Sequence, residues 1–179
     1  MQKMISYRRL ASEEINLPLF DGFKRRQVVT KCYRRVADAW TIQEVPFIDD
    51  WGMEQYEFLV ECLKNTVDTG GLVYAAFVSG KLKGFVSVEA EPLGSKKEYL
   101  DLTSIHVSED MRGKGIGRGL FGYASDWARG HGAKKLYISS HSAVESQAFY
   151  AAMGCVDAAE VNPEHVAAEP YDRQLEYCL

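Results

Sequence analysis

Proline and cysteine are scarce in this chain of 179 residues, which contains five prolines and four cysteines. With 46% hydrophobic and 26% charged residues, the composition excludes a collagen-like or wholly disordered chain. No two cysteines form a CxxC pair and none has a histidine at zinc-finger spacing, so no metal site is predicted. We expect a cytosolic protein whose four cysteines are reduced thiols: Cys32, Cys62, Cys155 and Cys178.

Long apolar runs and an excess of basic residues are also missing. No run of about 18 apolar residues is present, which argues against a membrane span. The first nine residues lack the apolar core of a signal peptide. The net charge of −4 argues against a protein that coats nucleic acid. We therefore expect a soluble, cytoplasmic protein with no nucleic-acid or membrane partner.

The length fits one domain over residues 1–179, since domains typically span ~100–200 residues. From residue 71 onward, hydrophobic periodicity and glycine or proline boundaries predict strands and helices in the order β-β-β-α-β-α-β-β. The predicted strands are 72–78, 82–90, 98–107, 135–139, 155–161 and 171–178. One predicted helix starts at Ile116, and a second spans 143–153. A loop with Pro163 and Pro170 joins the last two strands.

The first 70 residues are less regular. Residues 5–10 can form a strand, and residues 53–67 have the apolar spacing of a helix. Residues 28–40 fit either a helix or the two arms of a hairpin around Ala37 to Ala39. We favour the hairpin, with strands 29–36 and 40–47, because β-branched and aromatic residues dominate both arms. The pattern predicts an α/β (α+β) fold with helices on the faces of a mixed sheet.

A glycine-rich, basic segment lies between a predicted strand and a predicted helix. It runs from Arg112 to Arg118 and reads Arg-Gly-Lys-Gly-Ile-Gly-Arg. Glycines allow backbone N–H groups to converge, and the helix N-terminus together with the basic side chains adds positive potential. A phosphate or pyrophosphate is the natural ligand of such a turn.

Two familiar phosphate-binding motifs do not account for this segment. No Gly-Lys pair is followed by Ser or Thr, so the Walker A motif is absent. A GxGxxG pattern occurs at Gly117, Gly119 and Gly122, but it starts inside the predicted helix rather than in the turn. Dinucleotide binding is therefore not favoured.

Two motifs at their mutual spacing resemble the GCN5-related N-acetyltransferase (GNAT) family. The first is Arg112-x-x-Gly115-x-Gly117, and the second is Phe149-Tyr150-x-x-x-Gly154. The resemblance covers residues 71–155 most clearly. It implies a mostly antiparallel sheet of about six or seven strands, to which this chain would add the N-terminal hairpin predicted from its residues. It also implies acetyl-CoA as the co-substrate.

The resemblance assigns roles to individual residues. In the family, the glycine turn binds the pyrophosphate of acetyl-CoA and the tyrosine lies near the sulfur. The main chain of the preceding strand holds the acetyl carbonyl and the pantetheine arm, added like an extra strand. The cofactor-binding residues so implied are Ile105, His106, Val107, Arg112, Gly113, Lys114, Gly115, Ile116, Gly117, Arg118, Ser146 and Tyr150. One departure is Ala143, where many members carry asparagine, and Ser142 or His141 are candidate replacements for its hydrogen bond.

The implied reaction is direct attack of an amine on the thioester, which requires proton transfer. Tyr150 is the candidate acid for the leaving thiolate, as its hydroxyl can donate a hydrogen bond. Asp101 is the first candidate base, because strand alternation puts it on the face of Ile105 and Val107. Glu89 is the alternative base. His106, predicted on the opposite face, is expected to be structural.

The acceptor is the least defined part of the hypothesis. We expect a primary amine of a small molecule, with a protein N-terminus or lysine as one alternative and a non-catalytic acyl-CoA-binding module as another. Residues 155–179 contain six acids and one arginine, a charge balance that would attract a cationic amine. Trp40, Trp51 and Tyr99 are candidates either for the acceptor pocket or for core packing. Homodimers are common among the proteins that this chain resembles, so a homodimer is one expected assembly, but nothing in this sequence specifies it.

Overall fold

The computed structural model describes residues 4–179 and contains a sheet of seven strands in the order β1-β4-β5-β6-β7-β9-β8. Residues 1–3, the start of the segment tested for a signal peptide, lie outside the described residues. The strands are β1 (Ile5–Arg9), β4 (Leu72–Val78), β5 (Lys81–Val88), β6 (Tyr99–Val107), β7 (Lys135–Ser140), β8 (Val156–Asp157) and β9 (Arg173–Cys178). All neighbours are antiparallel except β6 and β7. The predicted mixed, mostly antiparallel sheet is confirmed.

Helices cover both faces of this sheet. Helix α1 (Met53–Asp68) packs on one face, and helix α2 (Ile116–Gly130) packs on the other. Helix α3 (Val144–Met153) adds Tyr150 to the core of the α2 face. No helix in the described residues 4–179 is long and apolar enough to span a membrane.

The ambiguous N-terminal segment is the predicted hairpin, formed by β2 (Arg26–Val36) and β3 (Ala39–Asp50). Ala37 and Asp38 both have positive φ angles, 47° and 63°, as a two-residue type I′ turn requires. The hairpin forms a separate two-stranded sheet. Its buried face, with Val29 and Cys32, packs on Ala143 at the start of α3.

The C-terminal segment differs from the prediction in two places. The strand expected at 155–161 contains only Val156–Asp157, and the expected loop contains a short helix, α4 (Pro163–Ala168). Asn162 caps this helix by accepting hydrogen bonds from the amides of Glu164 and His165. An asparagine followed by proline at the first helical position is a helix start signal.

Strands β6 and β7 separate after a short parallel contact. They pair only at Tyr99 with Lys135, Leu100 with Leu136 and Asp101 with Tyr137. Beyond Asp101, β7 continues beside β9, while β6 continues beside β5. The remaining residues of β6 therefore have one edge without a strand partner, and a V-shaped cleft opens there.

A bulge in β6 overturns one prediction about side-chain direction. Ser104 pairs with Ser87 and Leu102 pairs with Val88, so Thr103 is an extra residue without a partner. After it, Ile105 and Val107 pack in the same cluster as Leu102, on the α2 face. The prediction that Asp101 shares a face with Ile105 and Val107, opposite His106, is therefore wrong.

Candidate active site

A cavity of about 1240 Å³ occupies the cleft between β6, β7, α2 and α3. It brings together residues that the sequence separates widely. Of the residues predicted to act in catalysis or cofactor binding, all but Lys114 and the alternative base Glu89 line it. They are Asp101, Ile105, His106, Val107, Arg112, Gly113, Gly115, Ile116, Gly117, Arg118, Ser146 and Tyr150.

The glycine turn at the start of α2 forms one end of the cavity. Gly113 and Gly115 have φ angles of +73° and +82°, a conformation that favours glycine. A Cβ atom added at either position would meet nothing within 4 Å, so both residues face open space. Among the described residues, no backbone or side-chain acceptor bonds to the amides from Gly113 to Arg118. The turn is therefore a cradle of free N–H groups at a helix N-terminus, suited to a phosphate.

The basic side chains of the turn have different environments. The Arg112 Nε atom donates to the Val107 carbonyl oxygen at 3.2 Å, on the open part of β6. Arg118 lines the cavity. The Lys114 Nζ atom lies 3.6 Å from the Met111 sulfur, and its side chain contributes nothing to the cavity wall. The structure therefore brings Arg112 and Arg118, but not Lys114, to the cleft.

Tyr150 lies near the C-terminus of α3, with its ring 5.2 Å from that of Phe149. Burial raises the pKa of its hydroxyl above the usual value of 10. The hydroxyl has no hydrogen-bond partner in the described part of the chain, and the residue lines the cavity one turn from Ser146. Tyr150 is therefore a neutral group that is free to donate a hydrogen bond.

Ala143, the departure from the family pattern, is fully buried and forms a β-bridge with Cys32. A small side chain here allows the hairpin to dock. The Ser142 hydroxyl accepts a hydrogen bond from Arg34 Nη1 at 2.7 Å, so it is occupied by the hairpin. His141 lines the cavity. Of the two candidate replacements for asparagine, only His141 faces the cleft.

Asp101 has a partner that sequence reasoning missed. Its Oδ2 atom lies 2.6 Å from Nε2 of His165 on α4, and both residues line the cavity. The Asp101 carboxylate is buried, and this hydrogen bond raises the pKa of His165. His165 lies in the segment that was expected to be a loop, and nothing local marks it as the partner of Asp101.

The surroundings of His106 lower its pKa, whereas those of His165 raise the pKa of His165. Its Nδ1 atom accepts a hydrogen bond from Arg25 Nε at 3.1 Å, and its ring packs between Trp51 and Phe85. Burial, assisted by the Arg25 charge, lowers the pKa of His106 to about 3. Arg25, which sequence reasoning also missed, is 8% exposed and pairs with Asp49. His106 is therefore a neutral imidazole near pH 7.

Glu89 does not line the cavity. Its Oε1 atom accepts from the Thr66 hydroxyl at 2.6 Å and lies 3.5 Å from the Thr103 hydroxyl. Glu89 also donates its backbone N–H to the Asp101 carbonyl oxygen at 2.9 Å, so it contacts two residues of the cavity wall, Thr103 and Asp101, without lining the cavity itself.

The aromatic candidates and most of the C-terminal acids lie outside the cavity wall. Trp51 packs on His106 and Tyr56, while Trp40 contacts Arg173. The Tyr99 hydroxyl donates to Glu176. Among the C-terminal acids, Asp172 and Glu169 line the cavity. Asp157, Glu160 and Glu176 bond to other protein groups.

The model of the acetyltransferase (GNAT) family matches residues 36–155 of this sequence. The chain belongs to this family. Membership confirms the resemblance found in the sequence and makes the protein an acyltransferase with acetyl-CoA as the donor. A comparison with curated protein sequences found no match.

Solved structures of GNAT proteins share the fold over nearly the whole chain. Nourseothricin acetyltransferase is 22% identical, with a TM-score of 0.66 and coverage of 96% of this chain and 95% of that chain. A protein from Bacillus anthracis strain Ames, described as a streptothricin acetyltransferase and bound to acetyl coenzyme A, is 16% identical, with a TM-score of 0.70 and coverage of 97% and 96%. PaiA N-acetyltransferase from Thermoplasma acidophilum, bound to coenzyme A, is 14% identical, with a TM-score of 0.61 and coverage of 98% and 99%.

The residues of this chain fit acetyl-CoA. The open space at Gly113 and Gly115 and the free amides from Gly113 to Arg118 suit a pyrophosphate. The unpaired edge of β6 beyond Asp101 can bond to an extended pantetheine arm. Among the described residues, no three His, Cys, Asp or Glu side chains are placed to hold a metal ion.

Proposed function

We propose that this protein is an acetyl-CoA-dependent N-acetyltransferase that acetylates a primary amine of a small molecule by direct attack in a ternary complex. One observation carries the proposal. A single cavity connects the amide cradle at Gly113 to Arg118 with Tyr150 and with the Asp101–His165 pair. A donor site and proton-transfer groups thus lie in the same cleft.

Acetyl-CoA supplies the activated acetyl group, and the chain binds and orients it. The amides from Gly113 to Arg118 hold the pyrophosphate. The main chain of Ile105, His106 and Val107 bonds to the acetyl carbonyl and the pantetheine arm, and Ser146 lies beside the arm. The Tyr150 hydroxyl donates to the departing thiolate, and Asp101 with its partner removes the proton of the ammonium.

The hairpin supports a small acceptor over a protein chain. Just before the hairpin, Lys24 N donates to Ser108 Oγ at 2.9 Å, which holds the start of β2 beside the end of β6. At the other end the hairpin is tied beyond β7, where Tyr33 N donates to Ser142 O at 2.8 Å. The hairpin therefore crosses the open end of the cleft, and its residues Gln27 and Val28 join the wall. A roofed site admits a small molecule more easily than a folded protein surface.

The negative charge of the cavity wall around Asp101 supports a cationic amine as the acceptor. Asp101, Asp172 and Glu169 all line this part of the cavity, where Asp101 is buried and Asp172 is half-buried. Carboxylates in a cleft with low-dielectric walls attract a cation more strongly than they do on an open surface.

Calorimetry of acetyl-CoA binding tests the donor half. Wild type should bind, and Gly115→Asp should lose binding because a carboxylate enters the anion cradle. Gly115→Asn is the matched control. It has the same size, tolerates positive φ and caps a helix as well as aspartate does, but it adds no charge. Loss with aspartate alone supports the cradle, whereas absence of binding by folded wild type overturns the proposal.

Product formation on an acceptor panel tests the acceptor half. The panel should contain small diamines, amino sugars, lysine-containing peptides and free protein N-termini. It should also contain nourseothricin and streptothricin, after which two of the structural neighbours are named. Turnover of a small amine is expected. Turnover of peptides alone would favour a protein acetyltransferase, and tight acetyl-CoA binding without any turnover would favour a binding module.

A further inference from the structure

Three histidines line the cavity, and each ring is held by a different partner. His106 accepts at Nδ1 from Arg25, and His141 accepts at Nδ1 from the Ala143 amide at 3.0 Å. His165 instead bonds at Nε2 to the Asp101 carboxylate. Because an ionised carboxylate only accepts hydrogen bonds, Nε2 of a neutral His165 carries the proton and Nδ1 carries the lone pair. Nδ1 of His165 has no partner in the described part of the chain.

The Asp101–His165 pair lies at the point where the sheet divides. Asp101 is the last residue of β6 that pairs with β7, opposite Tyr137. The Tyr137 ring also stacks on the His165 ring, with centroids 5.5 Å apart and planes 18° apart. Its hydroxyl accepts from the amide of Asn162, the residue that caps α4. The position of the imidazole is therefore fixed by two strands and a capped helix, as a catalytic group requires.

We propose that His165 is the group that removes the proton from the acceptor ammonium and that Asp101 is its positioning residue. This inference rests on the proposed function and deepens it. The Asp101 Oδ1 atom is buried and has no hydrogen-bond partner among the described residues, so the carboxylate is not committed to any other cation. Both residues line the cavity, and His165 is the more exposed of the two, with 29% of its side chain accessible against 10% for Asp101.

Each turnover removes two protons from the ammonium and releases one of them overall. Nδ1 of neutral His165 takes one proton from the ammonium, and the freed amine forms a C–N bond to the thioester carbonyl carbon. The C–S bond then breaks, the thiolate takes the proton of the Tyr150 hydroxyl, and the amide nitrogen releases its second proton to solvent. His165 returns its proton to Tyr150 through water, so that the cycle consumes one ammonium and one acetyl-CoA. It yields an amide, coenzyme A and one proton.

The charged and titratable groups around His165 make it more basic. Asp101 on β6 raises its pKa most, and Asp172 before β9 and Glu164 on α4 act in the same direction. Glu169 lines the cavity at the end of α4, and Tyr137 on β7 presents its ring face. A base is active when it is deprotonated, so kcat/KM should rise with pH through the pKa of His165.

The pH dependence of kcat/KM on wild type, His165→Gln and Asp101→Asn tests the proposal, with the best amine of the panel. His165→Gln should lose about 10²-fold at neutral pH, because general base catalysis typically contributes ~10²–10⁴-fold. The inflection at the pKa of His165, which ends the acidic limb in wild type, should also vanish, and the rate should instead rise with the free-amine fraction up to the pKa of the amine. Asp101→Asn should keep an acidic limb but move it to lower pH, because the carboxylate that raises the pKa of His165 is gone.

A different pattern overturns the proposal. If Asp101→Asn abolishes the limb and His165→Gln keeps it, Asp101 itself takes the proton. If His165→Gln keeps wild-type activity and limb, the pair is structural. His131→Gln, an exposed histidine at the end of α2, should leave the profile unchanged. Calorimetry should show unaltered acetyl-CoA binding in all variants, whereas wild type that binds acetyl-CoA but acetylates no amine would instead overturn the proposed function.

Discussion

Gly84 of β5 lies directly beneath Ile116, the first residue of α2. A Cβ atom at position 84 would come within 2.6 Å of Ile116 Cγ2 and 3.0 Å of Leu120 Cδ1. The absence of a side chain therefore lets the first turn of α2 approach the sheet. Because that turn carries the free amides of the cradle, the position of the donor site depends on a glycine in a different element.

Gly84→Ala should destabilise the protein and weaken acetyl-CoA binding together. Overpacking of a core typically costs ~1–3 kcal/mol, and here the strain falls on the start of α2. Chemical denaturation and calorimetry measure the two effects.

The matched control for this prediction is Gly122→Ala, in the exposed middle of α2, where an added Cβ atom meets nothing within 4 Å. It should leave binding unchanged and stabilise the helix by ~0.5–1 kcal/mol, the usual difference between alanine and glycine. Equal effects of the two substitutions would contradict the packing argument.

Tyr150→Phe should retain acetyl-CoA binding and lower kcat by ~10²-fold, because the phenyl ring keeps the packing but cannot donate to the thiolate. Burial raises the pKa of Tyr150, so the hydroxyl stays protonated and should cause no loss of activity on the basic side up to about pH 10. Steady-state kinetics from pH 6 to pH 10 check both statements. Tyr123→Phe, at an exposed position of α2, is the control. A basic limb below pH 10 that disappears in Tyr150→Phe would contradict the assignment.

Local sequence patterns were sufficient for most strands of the main sheet, although not for the length of β8, because strand and helix periods and glycine boundaries are local properties. The glycine turn and Tyr150 each lie in a short motif, and both line the cavity as residues of the predicted site. The bulge at Thr103 was not predicted. One extra residue reverses the alternation of side chains between the two faces, and nothing in a run of strand-forming residues indicates where it lies. That reversal explains why the predicted face of Asp101 was wrong.

The hydrogen-bond partners of Asp101 and His106 also went unpredicted, and the reason is different. Asp101 and His165 are 64 positions apart, and Arg25 and His106 are 81 apart. Only the tertiary fold brings them together. The start of α4 at Asn162 and Pro163 was readable as a helix cap, but nothing in that signal indicates that its histidine reaches β6.

His106 and His165 should titrate at widely different pH values. Burial and the Arg25 charge lower the pKa of His106 to about 3, while the Asp101 hydrogen bond raises the pKa of His165 above 6.5. In an NMR titration of the ring protons, His106 should stay neutral down to pH 4, whereas His165 should titrate above pH 6.5. Asp101→Asn should lower the midpoint of His165 and leave that of His106 in place. A midpoint for His106 near 6.5 would contradict the role given to Arg25.

The Asp101–His165 pair should also make stability depend on pH in a defined direction. Because the pKa of His165 is raised on folding, the folded state binds its proton more tightly than the unfolded chain does. The stabilisation is fully present below the unfolded pKa of about 6.5 and is lost as pH rises through the folded value. The pair should therefore contribute ~1 kcal/mol at pH 6, as expected for a partly exposed, charge-assisted hydrogen bond, and less at pH 9. Urea denaturation of wild type against His165→Gln measures this difference. Asp101→Asn should flatten the profile equally, and a difference that grows with rising pH would contradict the pairing.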